Sequence, residues 1–204
     1  LMFQRLGNEY RSVYGAYDVT AFPGVTAREG MEQLKPVENW RGYCSKYNFA
    51  GAATSGGENA AAGFVFEKMN ASDKKGVNDK GRGGADRVIY GVKAHKAAFI
   101  LGDYVVALGA GITNLTPEVN GNIRTTLDQT ERTGNVFVHH GKGIDWIVQR
   151  GGFAYSAFPE YQKRMHYVCE TKRTGWGKMN PANRGRKNLP AEVDMLRLWI
   201  DHGT

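Results

Sequence analysis

Aromatic and basic side chains are interleaved between Trp40 and Tyr47, a segment that reads WRGYCSKY. Arg41 and Lys46 can hold a carboxylate or sulfate group, and the aromatic rings between them can stack on sugar rings or bases. The same composition also fits a half-buried strand in which Arg41 and Lys46 extend their charged ends into water. The segment therefore predicts either a surface for an anionic ligand or a half-buried strand without one.

The histidines and acidic residues do not predict a metal site. His139 and His140 are adjacent in a predicted strand, so their side chains point to opposite faces. His166 is isolated, and we assign none of the histidines as a catalytic base. Asp73 and Asp79 do not fit the ligand spacing of a calcium loop. We expect no metal and no cofactor.

Nucleophilic hydrolase chemistry has no support in the sequence. Cys44 and Cys169 lie far apart and form no CxxC motif, so they either pair in one disulfide of an exported protein or remain buried thiols. Cys44 has no evident partner histidine, and no Gly-x-Ser-x-Gly motif occurs.

The charge of the chain favours a polyanionic partner. Its 204 residues carry a formal net charge of +7, with a pI of about 9.4. Nucleic acid, an acidic membrane and an acidic polysaccharide all fit this charge, as does a merely basic surface. No recognised nucleic-acid-binding motif accompanies the charge, and no segment is apolar enough to span a membrane. The chain begins Leu1-Met2-Phe3, which favours an internal piece of a longer protein or a processed product.

The element that organises the chain is a predicted β-hairpin from Lys96 to Ile112. The apolar runs Ala98–Leu101 and Tyr104–Leu108 flank Gly102-Asp103, a pair suited to a tight turn. Because apolar residues occupy consecutive positions, we expect both faces of these strands to be covered, as in stacked sheets.

The remaining pattern predicts eight to ten short strands and little helix, which is typical of an all-β sandwich. Pro23-Gly24 marks a turn, and Asn48–Gly63 is small, polar and predicted to be flexible. Asn70–Asp86 and Thr171–Leu189 are predicted to be polar or basic loops. The predicted strands are Phe64–Met69, Arg87–Val92, Asn122–Gln129, Asn135–His139, Ile144–Gln149, Phe153–Phe158, Arg164–Glu170 and Val193–Ile200. No linker divides the chain into two domains.

Five patches in order resemble the central β domain of the polysaccharide lyases that cleave chondroitin, hyaluronan and xanthan. They extend over nearly the whole chain, and the broad chondroitin lyases are the most similar branch. The patches are Tyr17-Asp18 with Phe22-Pro23-Gly24-Val25-Thr26, Phe49-Ala50-Gly51, His95-Lys96-Ala97-Ala98-Phe99 with Leu108-Gly109-Ala110-Gly111-Ile112, Thr125-Thr126-Leu127-Asp128-Gln129, and Trp199-Ile200-Asp201-His202-Gly203.

The resemblance implies an all-β fold, an antiparallel β-sandwich of the supersandwich, galactose-mutarotase-like kind. Residues 1–204 would form part of one central β-sandwich domain, an incomplete piece of a larger lyase. The helical toroid domain, which in this family carries the Tyr and His that act on the uronate, has no counterpart here, and neither has the rest of the β region. The remaining domains, or a companion chain, are therefore expected partners.

The resemblance also implies β-elimination on a uronic-acid-containing acidic polysaccharide of the chondroitin sulfate or glycosaminoglycan class, in a secreted or periplasmic enzyme. By position, Tyr47 and Asn48 are the leading catalytic candidates. Arg41 and Lys46 would hold sulfate or carboxylate groups, and Glu58 and Asn59 are further substrate-binding candidates. Each of these residues can instead serve packing or turn capping alone.

One departure from the family pattern leaves a second function open. The broad chondroitin lyases carry a glutamate two residues before the aromatic residue of the "aromatic-Ala-Gly" turn, whereas this chain has Tyr47 there. The alternative is a non-catalytic module that binds acidic glycans or has a structural role. On either interpretation the ligand is an acidic polysaccharide, and neither nucleic acid nor a membrane is an expected partner.

Overall fold

The computed structural model describes residues 16–18, 21–30, 47, 49–67, 92–175 and 190–204. These residues form antiparallel strands with little helix, including the short 3-10 helix Gln162–Arg164, so the predicted all-β class is confirmed. The strands are β1 (Thr26–Arg28), β2 (Ala50–Ser55), β3 (Asn59–Glu67), β4 (Val92–Leu101), β5 (Tyr104–Asn114), β6 (Ile123–Glu131), β7 (Val136–His140), β8 (Ile144–Gln149), β9 (Ala154–Ser156), β10 (Met165–Gly175) and β11 (Pro190–Gly203).

The chain divides into two compact units, which we describe separately. The first unit comprises Leu1–Glu32 and Arg124–Gly203, and the second comprises Gln33–Ile123 with Thr204. Within the described residues, no helix has the length and apolar character needed to cross a bilayer.

The first unit is a sandwich of two sheets, ordered β1-β6-β11-β10 and β7-β8-β9. Leu196 and Leu198 of β11 are fully buried against Ile144 and Ile147 of β8 and Met165 of β10. Since side chains alternate along a strand, Val193 and Met195 of β11 face the other way. There they pack against Ala16, Tyr17 and Phe22, so both faces of β11 are covered.

Strand β10 extends beyond its predicted end. Thr171–Gly175 was predicted as the start of a basic loop, but it continues β10 and pairs with residues 190–194 of β11. Lys172, for example, pairs with the buried Val193. Pairing with a strand whose apolar side chains reach the core overrides the weak strand preference of charged residues.

The second unit contains the sheet β2-β3-β4-β5, in which neighbouring strands are also consecutive in sequence. The predicted hairpin is confirmed: β4 and β5 meet at Gly102, whose φ of +57° requires the left-handed conformation that glycine adopts readily. The prediction of a flexible segment over 48–63 is wrong for its described part. Ala50–Ser55 and Asn59–Glu67 form a second hairpin, and all of β3 pairs with β4.

The predicted covering of both faces of the hairpin is not found within the described residues. Ile100 is 36% exposed and Tyr104 is 75% exposed, although they lie in the most apolar part of the sequence. Consecutive apolar residues thus correctly predicted a strand pair, but the described part of the second unit leaves both faces accessible.

Candidate functional site

Tyr47 lies just before β2 and is 40% exposed. The Lys93 ammonium lies over its ring, with Nζ 5.3 Å from the ring centroid, which is within range of a cation–π interaction. Lys93 is near the start of β4, so a strand fixes its backbone. Together the two side chains place a phenol beside a cation. This is a suitable arrangement for an anionic ligand with a sugar ring.

Strand register adds two ionisable side chains to this face. Lys93 and His95 are two residues apart on β4 and therefore share a face. Glu67 of β3 is paired directly with Lys93, which places its side chain beside the lysine on that same face. We call Tyr47, Glu67, Lys93 and His95 the Tyr47 face. It offers a phenol, a carboxylate, an ammonium and an exposed imidazole.

A β-bulge fixes the backbone beside His95. The register between β4 and β5 shifts between Lys93 and His95, which leaves an extra residue in β5. Gly111 has a φ of +58° there, and a Cβ at this position would lie 3.3 Å from His95 Nδ1. Glycine is therefore required both for the backbone conformation and for close contact with the imidazole.

Glu58 and Asn59 are not brought to Tyr47. Glu58 is in the turn between β2 and β3, and Asn59 pairs with Leu101 at the opposite end of β4 from Lys93. The eight residues from Lys93 to Leu101 correspond to about 26 Å along the strand. Arg41, Lys46 and Asn48 lie outside the described residues. Their predicted roles, like those of Tyr47, Glu58 and Asn59, stay predictions.

Lys96 is an unusual group that sequence reasoning missed. Burial of its side chain lowers the pKa of Lys96 from 10.5 to about 8. An amine with this pKa is partly neutral near physiological pH and can exchange a proton there. Alternation along β4 places Lys96 on the opposite face from Lys93 and His95. The only signal in the sequence was a lysine directly preceding the apolar run of the hairpin.

In the first unit, residues from several resemblance patches form one hydrogen-bonded network. His202 Nε2 lies 2.8 Å from Thr125 Oγ1, which lies 2.7 Å from Thr26 Oγ1. Gln129 accepts a hydrogen bond from the Asp18 backbone and donates to the carbonyls of Asp18 and Ala21. These contacts join segments that are far apart in sequence, so they hold the fold of the first unit together.

Charged groups near this network are paired. Asp18 has a side chain only 3% exposed, and its carboxylate lies 3.2 Å from Arg124 and 3.9 Å from Arg197. Arg197 also pairs with Glu170 at 2.6 Å. Arg124 and Gln129 both reach residues 17–18, although strict alternation over five positions would place them on opposite faces of β6. Asp128, next to Gln129, accepts a hydrogen bond from Tyr155 in the other sheet.

In the part of the chain that the structure describes, no group of three His, Cys, Asp or Glu side chains could hold a metal ion. Cys169 is a free thiol and is exposed, which differs from both the disulfide and the buried thiol considered from the sequence. Partial desolvation of the sulfur nevertheless raises the pKa of Cys169, and the nearby charge of Arg132 acts in the opposite direction. Cys44 lies outside the described residues.

Comparison with protein families matches residues 1–204 to the family described as polysaccharide lyase family 8, super-sandwich domain. No curated protein sequence matches the chain. Similar solved structures include the Streptomyces coelicolor A3 chondroitin AC lyase in complex with chondroitin sulphate, at 22% identity and a TM-score of 0.68. A chondroitinase AC lyase studied with oligosaccharides is 20% identical, with a TM-score of 0.65. A Paenibacillus xanthan lyase is 16% identical, with a TM-score of 0.59.

The matched region is most of this chain but a small part of each solved relative. The matches cover 98% of this chain and 23% of the Streptomyces enzyme, 98% and 27% for the chondroitinase, and 91% and 17% for the xanthan lyase. At these identities the likeness establishes the fold.

Proposed function

This chain belongs to polysaccharide lyase family 8 through its super-sandwich domain, and we propose that it is part of an enzyme that cleaves a uronic-acid-containing acidic polysaccharide by β-elimination. The observation that carries the proposal is the family match over the whole chain. The proposed substrate belongs to the chondroitin sulfate or glycosaminoglycan class. The net charge of +7 favours such a polyanion.

The reaction needs three contributions from the enzyme. A positive group neutralises the uronate carboxylate, a base removes the proton from C5, and the glycosidic O4 receives a proton as its bond to C4 breaks. The electron pair of the C5–H bond becomes the C4–C5 double bond. We assign Tyr47 to the proton transfers and the Asn48 amide to the uronate carboxylate as catalytic candidates, and Arg41 and Lys46 to further carboxylate or sulfate groups.

Lys93 joins this proposal from the structure. Its ammonium already lies over the Tyr47 ring, 5.3 Å from the centroid, so a uronate stacked near the phenol would meet a cation. Glu58 and Asn59 are proposed to contact more distant sugar units, since they are at the other end of the sheet.

The chain is further proposed to act with additional domains. It spans about a quarter of the solved chondroitin lyases, so a family-type cleft would need residues beyond those described. We propose that residues 1–204 alone are inactive, that the enzyme is secreted or periplasmic, and that its partners are the acidic polysaccharide and the remaining domains.

The test is an elimination assay that follows the ultraviolet absorbance of the unsaturated uronate product. The full-length polypeptide and the isolated chain would be supplied with chondroitin sulfates, hyaluronan, alginate and ulvan. We expect activity from the full-length protein only, and Tyr47→Phe and Lys93→Met should each lower kcat/KM at least tenfold. The matched control is Arg173→Met, at a side chain that is 80% exposed on β10 of the first unit, which should leave kcat/KM unchanged. Activity of the isolated chain would overturn the assignment of the missing catalytic groups to other domains.

A non-catalytic glycan-binding module is the second candidate function. It is favoured by the separation of Glu58 and Asn59 from the Tyr47 face, because the described residues then assemble few of the groups that elimination needs. If this second function is correct, the full-length protein should bind acidic glycans but form no elimination product.

A further inference from the structure

The outer face of the β7-β8-β9 sheet carries an ordered set of exposed side chains. His139, Trp146 and Ser156 lie side by side across the three strands, since His139 pairs with Trp146 and Trp146 pairs with Ser156. Phe137 lies two residues before His139 and therefore shares its face. Phe137 is 52% exposed and Trp146 is 40% exposed. We call these four residues the Trp146 platform. The opposite face packs into the core through Val136, Val138, Ile147 and Tyr155.

A β-bulge turns a carboxylate onto this platform. His139 pairs with Trp146, whereas His140 pairs with Ile144, so Asp145 is an extra residue in β8 without a cross-strand partner. Its Oδ2 lies 3.0 Å from His139 Nδ1. Ser156 donates a hydrogen bond to the Asp145 carbonyl at 2.9 Å, which satisfies backbone that the bulge removes from the ladder. Bulges of this kind commonly re-aim a side chain at a functional surface.

The aromatic rings of the platform are held in a fixed arrangement. The His139 imidazole stacks beside the Trp146 indole, with centroids 5.4 Å apart and an interplanar angle of 10°. The carboxylate of Asp145 holds the imidazole from one side, and the indole holds it from the other. The platform therefore presents a flat aromatic surface next to a polar nitrogen-and-oxygen pair, with little rearrangement needed to bind a ligand.

The surroundings of the platform are more basic than acidic. Lys142 is exposed in the turn after β7, and Lys163 and Arg164 are exposed on the 3-10 helix. The turn and this helix adjoin, because a Cβ at Gly143 would lie only 2.5 Å from the Lys163 backbone nitrogen. Residues 139–145 and 160–164 contain three cations and two carboxylates, one of which is paired with His139. The charge therefore complements an anionic ligand.

The size of the platform favours a saccharide over a protein. Three strands spaced about 4.8 Å apart and a longest strand of six residues give a face of about 14 by 20 Å. This area, about 300 Å², is well below the roughly 800 Å² per partner of a stable protein interface. It matches a few pyranose rings laid end to end.

We propose that the Trp146 platform is a second binding surface for an acidic polysaccharide chain, distinct from the Tyr47 face. The apolar C–H face of one sugar ring lies on the Trp146 indole, and His139, held by Asp145, hydrogen-bonds to its hydroxyl or acidic groups. The choice of an acidic polysaccharide rests on the proposed function. The platform would hold a long substrate without taking part in the cleavage.

The test uses the full-length polypeptide and two substrates, a long chondroitin sulfate polymer and a chondroitin tetrasaccharide. Trp146→Ala should weaken binding to immobilised polymer about tenfold and raise KM for the polymer by a similar factor. Turnover of the tetrasaccharide should stay within twofold of the parent. Trp146→Phe, which keeps a ring, should recover most of the binding. Tyr104→Ala is the matched control, since it removes an exposed aromatic ring from a strand of the second unit.

The outcomes separate this proposal from the proposed function. If the parent cleaves the polymer and Trp146→Ala binds it equally well, the platform proposal is wrong. Loss of binding by Trp146→Ala in a parent without elimination activity would support the platform and refute the lyase function. Failure of the parent both to bind and to cleave would overturn both. A change of oligomeric state in Trp146→Ala, with polymer binding retained, would assign the platform to a second copy of the chain.

Discussion

Lys96→Met should stabilise the protein at neutral pH. The pKa of Lys96 is lowered from 10.5 to about 8 because its side chain is largely buried in the folded state. Below pH 8 the folded protein must keep this buried group charged. Between pH 8 and 10.5 the folded state has lost the proton and the unfolded state still carries it. The unfolded state then binds more protons, so the stability of the parent rises with pH across this range.

The size of the effect follows from the shift. A difference of about 2.5 pKa units corresponds to about 3 kcal/mol at about 1.4 kcal/mol per unit. Lys96 is partly exposed, and solvent screening lowers this value, so we expect 1 to 3 kcal/mol, roughly. Methionine keeps the length and apolar stem of the side chain without a charge. The variant should therefore exceed the parent in stability at pH 7, and the difference should disappear near pH 10.5.

Urea unfolding of parent and variant at intervals from pH 7 to 10.5 would measure this difference. Lys142→Met is the matched control, because Lys142 is in an exposed turn and its substitution should change the free energy of unfolding by less than about 0.5 kcal/mol at every pH. A Lys96→Met variant that is less stable than the parent at pH 7 would refute the reasoning. So would a stabilisation that stays constant up to pH 10.5.

Five further substitutions, of which two are controls, test the folded contacts by urea unfolding. Gly111→Ala and its control Gly102→Ala both place alanine at a φ near +58°, which lowers the free energy of unfolding by about 1 kcal/mol. Only at Gly111 does the new Cβ also lie 3.3 Å from a nitrogen of His95. Gly111→Ala should therefore lose more stability, and equal losses would contradict the close contact. Asp18→Asn should lower the free energy of unfolding by about 3 kcal/mol, because two partly buried arginines lose their carboxylate partner. Its control Glu192→Gln removes an exposed ion pair and should lower the free energy of unfolding by less than about 1 kcal/mol. Gly143→Ala should lower the free energy of unfolding by about 2 kcal/mol or more, since its Cβ would overlap backbone atoms of Gln162 and Lys163. A variant as stable as the parent would contradict this overlap.

Strands with a strong local sequence pattern were predicted correctly. The turn at Gly102 follows from a Gly-Asp pair between two apolar runs, and both predicted strands are present. The strand Ile144–Gln149 was predicted with its observed ends. The prediction that Asn48–Gly63 is flexible was wrong for its described part, because alanine and glycine have little strand preference of their own. Its described part becomes sheet through pairing with β4, a strand far away in sequence.

The candidate site was predictable only in part, because its geometry depends on register. Tyr47 was chosen from a family position, but its neighbour Lys93 could not be found from spacing, since the two meet through space. Glu58 and Asn59 are near Tyr47 in sequence, yet the β2–β3 hairpin carries them to the other end of the sheet. The bulge that turns Asp145 toward His139 shifts the register by one residue, and no residue type in that segment predicts such a bulge.

The division of the chain into an inserted unit and a surrounding one sets an order of folding. The sheet β2-β3-β4-β5 is made of consecutive hairpins, so its contacts can form as soon as residue 114 has left the ribosome. The surrounding unit instead depends on hydrogen bonds between residues 112, 99 and 77 positions apart, which join Tyr17, Thr26, Thr125, Gln129 and His202. Its β11 lies inside the sheet order, although it follows the other ten described strands in the sequence. During translation, the hydrogen bonds of Tyr17 and Thr26 to this unit therefore form only after the hairpins have been synthesised, and in that interval the incomplete unit is open to misassembly.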